Sequence, residues 1–297
     1  MLLPSFSYHQ PASVAEALEM LGQYGGQAAI IAGGTDLLVN MKHKKLSPQH
    51  LVGLEGIAGL DEFSSADGSL IVGPRLSASA LAASGELTGA AKVLALGAGA
   101  LGSPQVRNRA TVGGNVCTAR PAADMCLPLL ALGAKAMLAG PDGSREVTLQ
   151  EFFQGPGLTA KRPGELLTGL KIAKPAEGSG AGYQKLGLRQ AMEIALVNVA
   201  AVVMLEDDGS TIKEARVALG AVAPTPLLSP GAAQALAGRA ADEAAIEAAA
   251  EAAAADAKPI DDHRGSAAYR RDMVRTLTKR ALKQALAQAQ GNEEAQA

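Results

Sequence analysis

The chain has 297 residues, and 27 Lys+Arg against 29 Asp+Glu give a formal charge of −2, so no basic excess draws it to nucleic acid or an anionic lipid surface. A composition of 48% hydrophobic and 19% charged residues excludes a wholly disordered chain, and the length suits about two domains. Trp is absent and Tyr and Phe number four each, which leaves little for base stacking; two cysteines, Cys117 and Cys126, are too few for a disulfide framework or for the four thiolates of a common iron–sulfur cluster.

The opening residues have neither the basic region nor the apolar run of a signal peptide. The densest apolar window, 194–205, is 12 residues long and carries Asn198, too short for a membrane span. A cytoplasmic protein without a membrane span is expected.

Ser13-Val14-Ala15-Glu16 has the spacing of a capping box, and Val14, Ala17, Leu18 and Leu21 continue at helical spacing until Gly25-Gly26. Ala28 to Ile31 reads as a short buried strand ending at Gly33-Gly34. Leu51 to Leu54 and Leu70 to Val72 read as strands, and Ser77 to Ala83 and Leu87 to Leu101 as helices. Asp124 to Leu132 is helical in pattern, with Pro128 interrupting it. Lys135 to Ala139 and Arg145 to Leu149 form a hairpin around Pro141-Asp142-Gly143, and Leu166 to Ile172 is a further strand.

The polar stretch Lys174 to Gly180 marks a boundary. Beyond it Tyr183 to Leu186, Ala195 to Glu206 and Ile212 to Val222 predict three antiparallel strands, the last two joined at Asp207-Asp208-Gly209-Ser210, with Pro224 and Pro226 ending them. Residues 241–257 hold 11 alanines in 17 and place Glu243, Glu247 and Glu251 on one stripe, which predicts a packed helix with a solvated acidic face. Arg264 to Ala287 predicts a long basic helix, and Gln288 onward should fray. The expected division is residues 1–60, 61–176 and 177–290, with a tail at 291–297.

Three motifs invite a chemical reading. Gly97-Ala98-Gly99-Ala100-Leu101-Gly102 fits the dinucleotide pattern G-x-G-x-x-G, but helix rather than strand precedes it and Ser103-Pro104 interrupts any helix the glycines would open, so it reads as a helix end packed against a neighbour. Ala32-Gly33-Gly34-Thr35-Asp36 comes directly after a strand. Its adjacent glycines allow a sharp fold that turns several N–H groups to one side, a concavity fit for phosphate; an ordinary tight turn is the plain alternative. Thr111-Val112-Gly113-Gly114-Asn115 is a second such loop, and the pair suggests a pyrophosphate held between two sub-domains. Asp124, nine residues later, either accepts from a sugar hydroxyl or caps a helix.

Ile31-Ala32-Gly33-Gly34-Thr35-Asp36-Leu37-Leu38 resembles the first FAD loop of the molybdenum hydroxylase flavoproteins, and 102–115 followed by Pro121-Ala122-Ala123-Asp124 resembles their second. Tyr183-Gln184-Lys185, Glu193-Ile194-Ala195 and Tyr269 to Val274 are similar to the family's C-terminal domain, so the resemblance runs nearly end to end. It implies an α+β architecture: a two-lobed FAD-binding fold of the vanillyl-alcohol-oxidase type (PCMH-like), followed by a three-stranded antiparallel sheet with a helical bundle.

The resemblance also implies that residues 32–36 and 111–115 bind the FAD pyrophosphate and that Asp124 meets the ribityl or ribose region. Leu37, Lys185 and Ile194 lie near the isoalloxazine or the adenine. His9, His43, His50 and His263 occupy none of the matched positions, so the FAD is expected to be non-covalent, and Cys117 and Cys126 read as small buried hydrophobes. No catalytic side chain and no metal ligand are expected here.

By resemblance, a molybdenum-cofactor subunit oxidises the substrate, a [2Fe–2S] subunit relays electrons, and this subunit's FAD passes them to NAD⁺, a quinone or another acceptor. The assembly implied is a dimer of heterotrimers. The basic run Lys42-His43-Lys44-Lys45 is a solvated loop or a face for the electron donor. Rival readings are a stand-alone FAD oxidase or dehydrogenase and a non-redox assembly or binding module.

Overall fold

The computed structural model describes residues 2–291. Its first unit is a three-stranded parallel sheet in the order β1-β3-β2, with β1 at Ser7–His9, β2 at Ala28–Ile31 and β3 at His50–Gly53. Helix α1, Val14–Tyr24, begins where the Ser13 hydroxyl accepts the Glu16 N–H at 3.1 Å, while the Glu16 carboxylate accepts the N–H of Ala12 rather than of Ser13. Ala17 and Leu21 from α1 close over Val52, Leu54, Ile57 and Leu60. Helix α2, Leu37–Lys42, comes after the first glycine motif.

The second unit is an antiparallel sheet in the order β4-β5-β10-β6-β7: β4 Phe63–Ala66, β5 Ser69–Val72, β6 Lys135–Gly140, β7 Gly143–Thr148 and β10 Leu166–Ala173. Between β5 and β6 the chain forms α3 (Ala78–Ala82), α4 (Lys92–Gly99), α5 (Pro104–Arg107), α6 (Val112–Thr118) and α7 (Cys126–Ala131). Between β7 and β10 lie α8 (Leu149–Phe152) and the small hairpin β8–β9 (Phe153–Gly155, Leu158–Thr159). The sequence pattern missed β4, a strand of small and polar residues with Ser64, Ser65 and Ala66 exposed. It also ran α4 too long: Gly89, at φ +52°, opens a short 3₁₀ turn, and α4 starts only at Lys92.

The third unit has four antiparallel strands, not three: β11 Ser179–Leu186, β12 Val197–Leu205, β13 Ile212–Gly220 and β14 Leu227–Leu228. After Pro224 and Pro226 the chain turns back, and Leu227 and Leu228 pair with Leu219 and Ala218. Strand β11 begins four residues before the expected start, running through Gly180 and Gly182. Helices α9 (Pro230–Leu236), α10 (Glu243–Asp256) and α11 (Ala267–Ala289) complete the unit.

Helix α11 lies so close on β11 that a Cβ at Gly180 would overlap the Ala285 carbonyl oxygen, and one at Gly182 that of Ala281. The edge strand is closed from the side: Gln288 Oε1 accepts the Ala181 N–H at 2.7 Å and Gln284 Oε1 that of Tyr183 at 3.1 Å. The acidic stripe on α10 is not simply solvated. Glu243, Glu247 and Glu251 pair with Lys283, Lys279 and Arg275 of α11. Gln288 and Ala289 remain helical; of the expected tail, 292–297 lies outside the described residues.

Candidate functional site

A cleft of about 1740 Å³ runs between the three units. On the first unit, β2 ends at Ile31 and the chain turns through Ala32 to Asp36 into α2. Gly33 has no room for a side chain, because a Cβ there would overlap the carbonyl oxygen of Arg109 in the second unit. Gly34 takes φ +75°, a left-handed geometry that glycine adopts freely. The N–H groups of Gly33, Gly34, Thr35 and Asp36 donate to nothing among the described residues, and all four residues line the cleft. Successive open donors on a folded backbone make an anion-binding concavity. Asp36 faces the open cleft. Its carboxyl sits above the ordinary range, because burial outweighs the opposing pull of Arg120.

The second motif is not a loop but a helix cap. Thr111 Oγ1 accepts the Gly114 N–H at 3.1 Å, and the Asn115 N–H goes to Thr111 O at 3.0 Å. The N–H of Val112 goes to Leu76 O at 3.0 Å and that of Gly113 to Pro74 O at 2.8 Å. Donors at 112–115 are therefore consumed internally. Val112 is fully buried and off the cleft. Gly113 is glycine because a Cβ would stand 2.6 Å from Pro74 Cβ. What remains for a ligand is the Thr111 N–H and the Asn115 amide, whose Oδ1 is held by the Met125 N–H at 3.2 Å.

Asp124 does not cap α7; Met125 occupies that position. Only 6% exposed, Asp124 stands on the cleft wall with both carboxylate oxygens engaged by β11. Tyr183 Oη donates to Oδ1 at 2.7 Å and Lys185 Nζ to Oδ2 at 2.8 Å; Lys185 also donates to Ala100 O at 3.0 Å, and Asn198 Nδ2 to Tyr183 Oη at 3.2 Å. Burial raises the Asp124 carboxyl, against the lowering pull of Lys185 and Tyr183. Burial and the neighbouring Asp124 hold the Tyr183 phenol well above its ordinary value. Lys185 itself does not line the cleft and reaches it through Asp124. Leu37 does line it, as does Ile194, which is exposed there.

Two domain models match the chain: the FAD binding domain in molybdopterin dehydrogenase over residues 4–175, and the CO dehydrogenase flavoprotein C-terminal domain over 182–285. The carbon monoxide dehydrogenase medium chain of Afipia carboxidovorans is 35% identical, over 97% of this chain and 99% of its own. The xanthine dehydrogenase FAD-binding subunit of Escherichia coli O157:H7 is 32% identical, over 96% and 97%. The chain belongs to the flavoprotein subunits of the molybdenum hydroxylases. Among solved structures, the Cu,Mo-CO dehydrogenase in its cyanide-inactivated form matches with TM-score 0.92 at 34% identity, covering 97% of this chain and 100% of that one. Quinoline 2-oxidoreductase from Pseudomonas putida 86 matches with TM-score 0.89 at 31% identity, covering 99% and 100%.

The residues present fit the FAD of this flavoprotein family. Drug-sized ligands occupy roughly 300–1,000 Å³, and this cleft is larger, as a dinucleotide requires. The open N–H groups at 33–36 suit a pyrophosphate. None of the four histidines, all of them described residues, lines the cleft. Cys117 does, and burial pushes its thiol up to about 11; Cys126 is fully buried and its thiol is raised further. Among the described residues no three His, Cys, Asp or Glu side chains gather as a metal site.

The G-x-G-x-x-G match is packing: a Cβ on Gly97 would stand 2.6 Å from Asp124 O and 2.7 Å from Pro128 Cγ. Sequence reading missed the wall that the C-terminal unit contributes, including Met192, Ala221, Lys258, Ile260, Arg264 and Arg270. These positions are scattered over three loops and a helix, with no local spacing to betray them. The only signal was the family match around Tyr269-Arg270-Arg271, which carried no role.

Proposed function

We propose that this chain is the FAD-carrying subunit of a molybdenum hydroxylase complex, with one non-covalent FAD in the cleft. The observation that carries the reading is the run of four open backbone donors at 33–36 inside a cleft of about 1740 Å³. Bound FAD supplies the redox chemistry, accepting electrons from a [2Fe–2S] partner subunit and releasing them to NAD⁺, a quinone or another acceptor. The chain's own residues bind and orient it. The 32–36 turn holds the pyrophosphate, Thr111 and Asn115 add donors across the cleft, and Asp124 presents its carboxylate to the ribityl or ribose hydroxyls. Leu37 and Ile194 give apolar contact to a ring, while Lys185 acts by holding Asp124.

A protonated thiol at Cys117 is a poor nucleophile, which supports non-covalent attachment. Substrate oxidation belongs to a molybdenum-cofactor subunit, and the assembly we favour is a dimer of heterotrimers in the cytoplasm. Among the described residues no helix is long and apolar enough to cross a membrane. Native purification with metal analysis and mass spectrometry of co-eluting chains tests the reading: molybdenum, iron and two further subunits are expected. The isolated chain, mixed anaerobically with a panel of organic substrates, should keep its flavin oxidised. Rapid flavin bleaching without partners would replace the subunit reading with a stand-alone enzyme.

A further inference from the structure

Among the described cations that line the cleft, Arg270 alone is buried, 3% exposed. It projects from the first turn of α11 and ties three segments of the C-terminal wall together. Nη1 donates to Leu196 O at 2.8 Å and to Ala221 O at 3.0 Å, and Nη2 stands 2.7 Å from Asp262 Oδ1. Leu196 comes right after the cleft residues Ile194 and Ala195. Ala221 holds φ +61°, a strained value for a residue with a Cβ, and its own N–H reaches Pro121 O of the second unit at 2.8 Å. Asp262 is gripped by the Arg264 N–H at 2.8 Å and its Nη1 at 3.3 Å.

Two donors would suffice to pin these carbonyls. The guanidinium instead brings a full charge; its Nε–H donates to nothing among the described residues, and Nη2, in ion-pair contact with Asp262, makes no aligned hydrogen bond. A buried cationic donor without a partner is costly unless something in the cleft accepts from it or answers its charge. The local balance of Arg264, Arg270 and Asp262 is one net positive charge; Glu193, the other acid on this wall, is paired with Arg189 at 2.7 Å, and Lys258 adds a second net positive charge.

We propose that Arg270 is a positioning residue for the flavin: it fixes the C-terminal wall of the cleft and sets, by its charge, a preference for reduced over oxidised FAD. The proposal rests on the FAD reading above. A neutral isoalloxazine that takes two electrons from the iron–sulfur partner and one proton from solvent gains one negative charge, and loses it when the electron pair leaves to the acceptor. A desolvated guanidinium in the wall stabilises that charged state.

The test uses the full chain loaded with FAD: reductive titration against a reference dye for the midpoint potential, and fluorescence titration for oxidised-FAD affinity. Arg270→Met should weaken reduced FAD at least tenfold more than oxidised FAD, which for a two-electron couple reads as a fall of about 30 mV. Arg270→Lys keeps the charge and should return most of the potential, but not the oxidised-FAD affinity, since one ammonium cannot span all three acceptors. Asp262→Asn removes the opposing negative charge and should raise the potential.

A folded, FAD-loaded Arg270→Met with the wild-type potential would overturn the proposal. So would Asp262→Asn shifting the potential downward or leaving it unmoved, and that arm decides alone if Arg270→Met does not fold. Failure of the wild-type chain to bind FAD would overturn the cofactor reading, and this proposal with it, before any variant is compared.

Discussion

Gly33-Gly34 and Gly113-Gly114 are the same dipeptide at the start of a helix, the first pair just ahead of α2 and the second within the first turn of α6, each with a threonine within two residues, yet their glycines answer different constraints. At the first site one glycine lets the backbone of a second unit touch it and the other turns the chain left-handed, leaving four N–H groups facing the cleft. At the second the N–H groups are absorbed by Leu76, Pro74 and Thr111, and Gly113 is small because Pro74 lies on it. The first motif leaves its donors open to the cleft, and the second is a wall with a capped helix. A paired glycine thus reports close approach of something; only the hydrogen-bond accounting tells whether that something is protein or ligand.

The largest expected effect separates the two motifs most sharply. Gly33→Ala forces a methyl group into the Arg109 carbonyl, and backbone cannot rotate out of the way as a side chain can. It should cost about 3 kcal/mol of stability by urea denaturation and abolish FAD binding; a stable variant that keeps FAD would break the account of this contact.

Removing Lys185 tests the polar bridge between the second and third units. Lys185→Met leaves the Asp124 carboxylate buried with Tyr183 as its remaining side-chain partner, at a cost of about 3 kcal/mol at pH 7. The pH dependence has a definite sign. The Asp124 carboxyl is raised in the fold above its ordinary value, so the folded state holds its proton longer than the unfolded one. Its favourable contribution is complete below the unfolded value of about 3.9 and is lost as pH rises through the folded value. Without Lys185 the folded value climbs, so the deficit of the variant should shrink steadily on acidification. A deficit that does not vary with pH would locate the damage in packing instead.

Within the second motif the structure predicts an asymmetry. Gly113→Ala meets Pro74 Cβ at 2.6 Å and Pro74 O at 2.7 Å, whereas Gly114→Ala meets only Thr111 Oγ1, at 3.0 Å. The first should cost about 2 kcal/mol and the second less than about 0.5 kcal/mol, measured by thermal unfolding; equal effects would contradict the helix-cap geometry. Smallest is the ladder between α10 and α11. Replacing Glu243, Glu247 and Glu251 by Gln together should cost about 1 kcal/mol at low ionic strength, and the difference should vanish in about 1 M salt.

Much of this was legible in the letters. Strand β2 runs from Ala28 to Ile31 as its apolar run suggests, Ser13 caps α1, and Asp207 to Ser210 join β12 to β13. The family and the cofactor were readable because the motifs that carry the resemblance are runs of consecutive residues. The second motif reads differently in the fold because its partners, Leu76 and Pro74, lie more than 30 residues upstream, and no local pattern records that their carbonyls take the donors. Lys185 likewise looks like a cofactor contact until Asp124 is seen occupying its ammonium. The C-terminal wall, from Met192 to Arg270, exists only once three loops and α11 converge.

The most direct test of the central claim is an equilibrium titration of the apo-chain with FAD, followed by flavin fluorescence, with Gly33→Ala and Gly114→Ala beside the wild type. The account predicts one FAD per wild-type chain, released to the supernatant on acid precipitation, no binding to Gly33→Ala, and Gly114→Ala within about threefold of wild type, a difference under about 1 kcal/mol. A wild-type chain that takes up no FAD would contradict it. So would a Gly114→Ala variant that loses FAD while Gly33→Ala retains it.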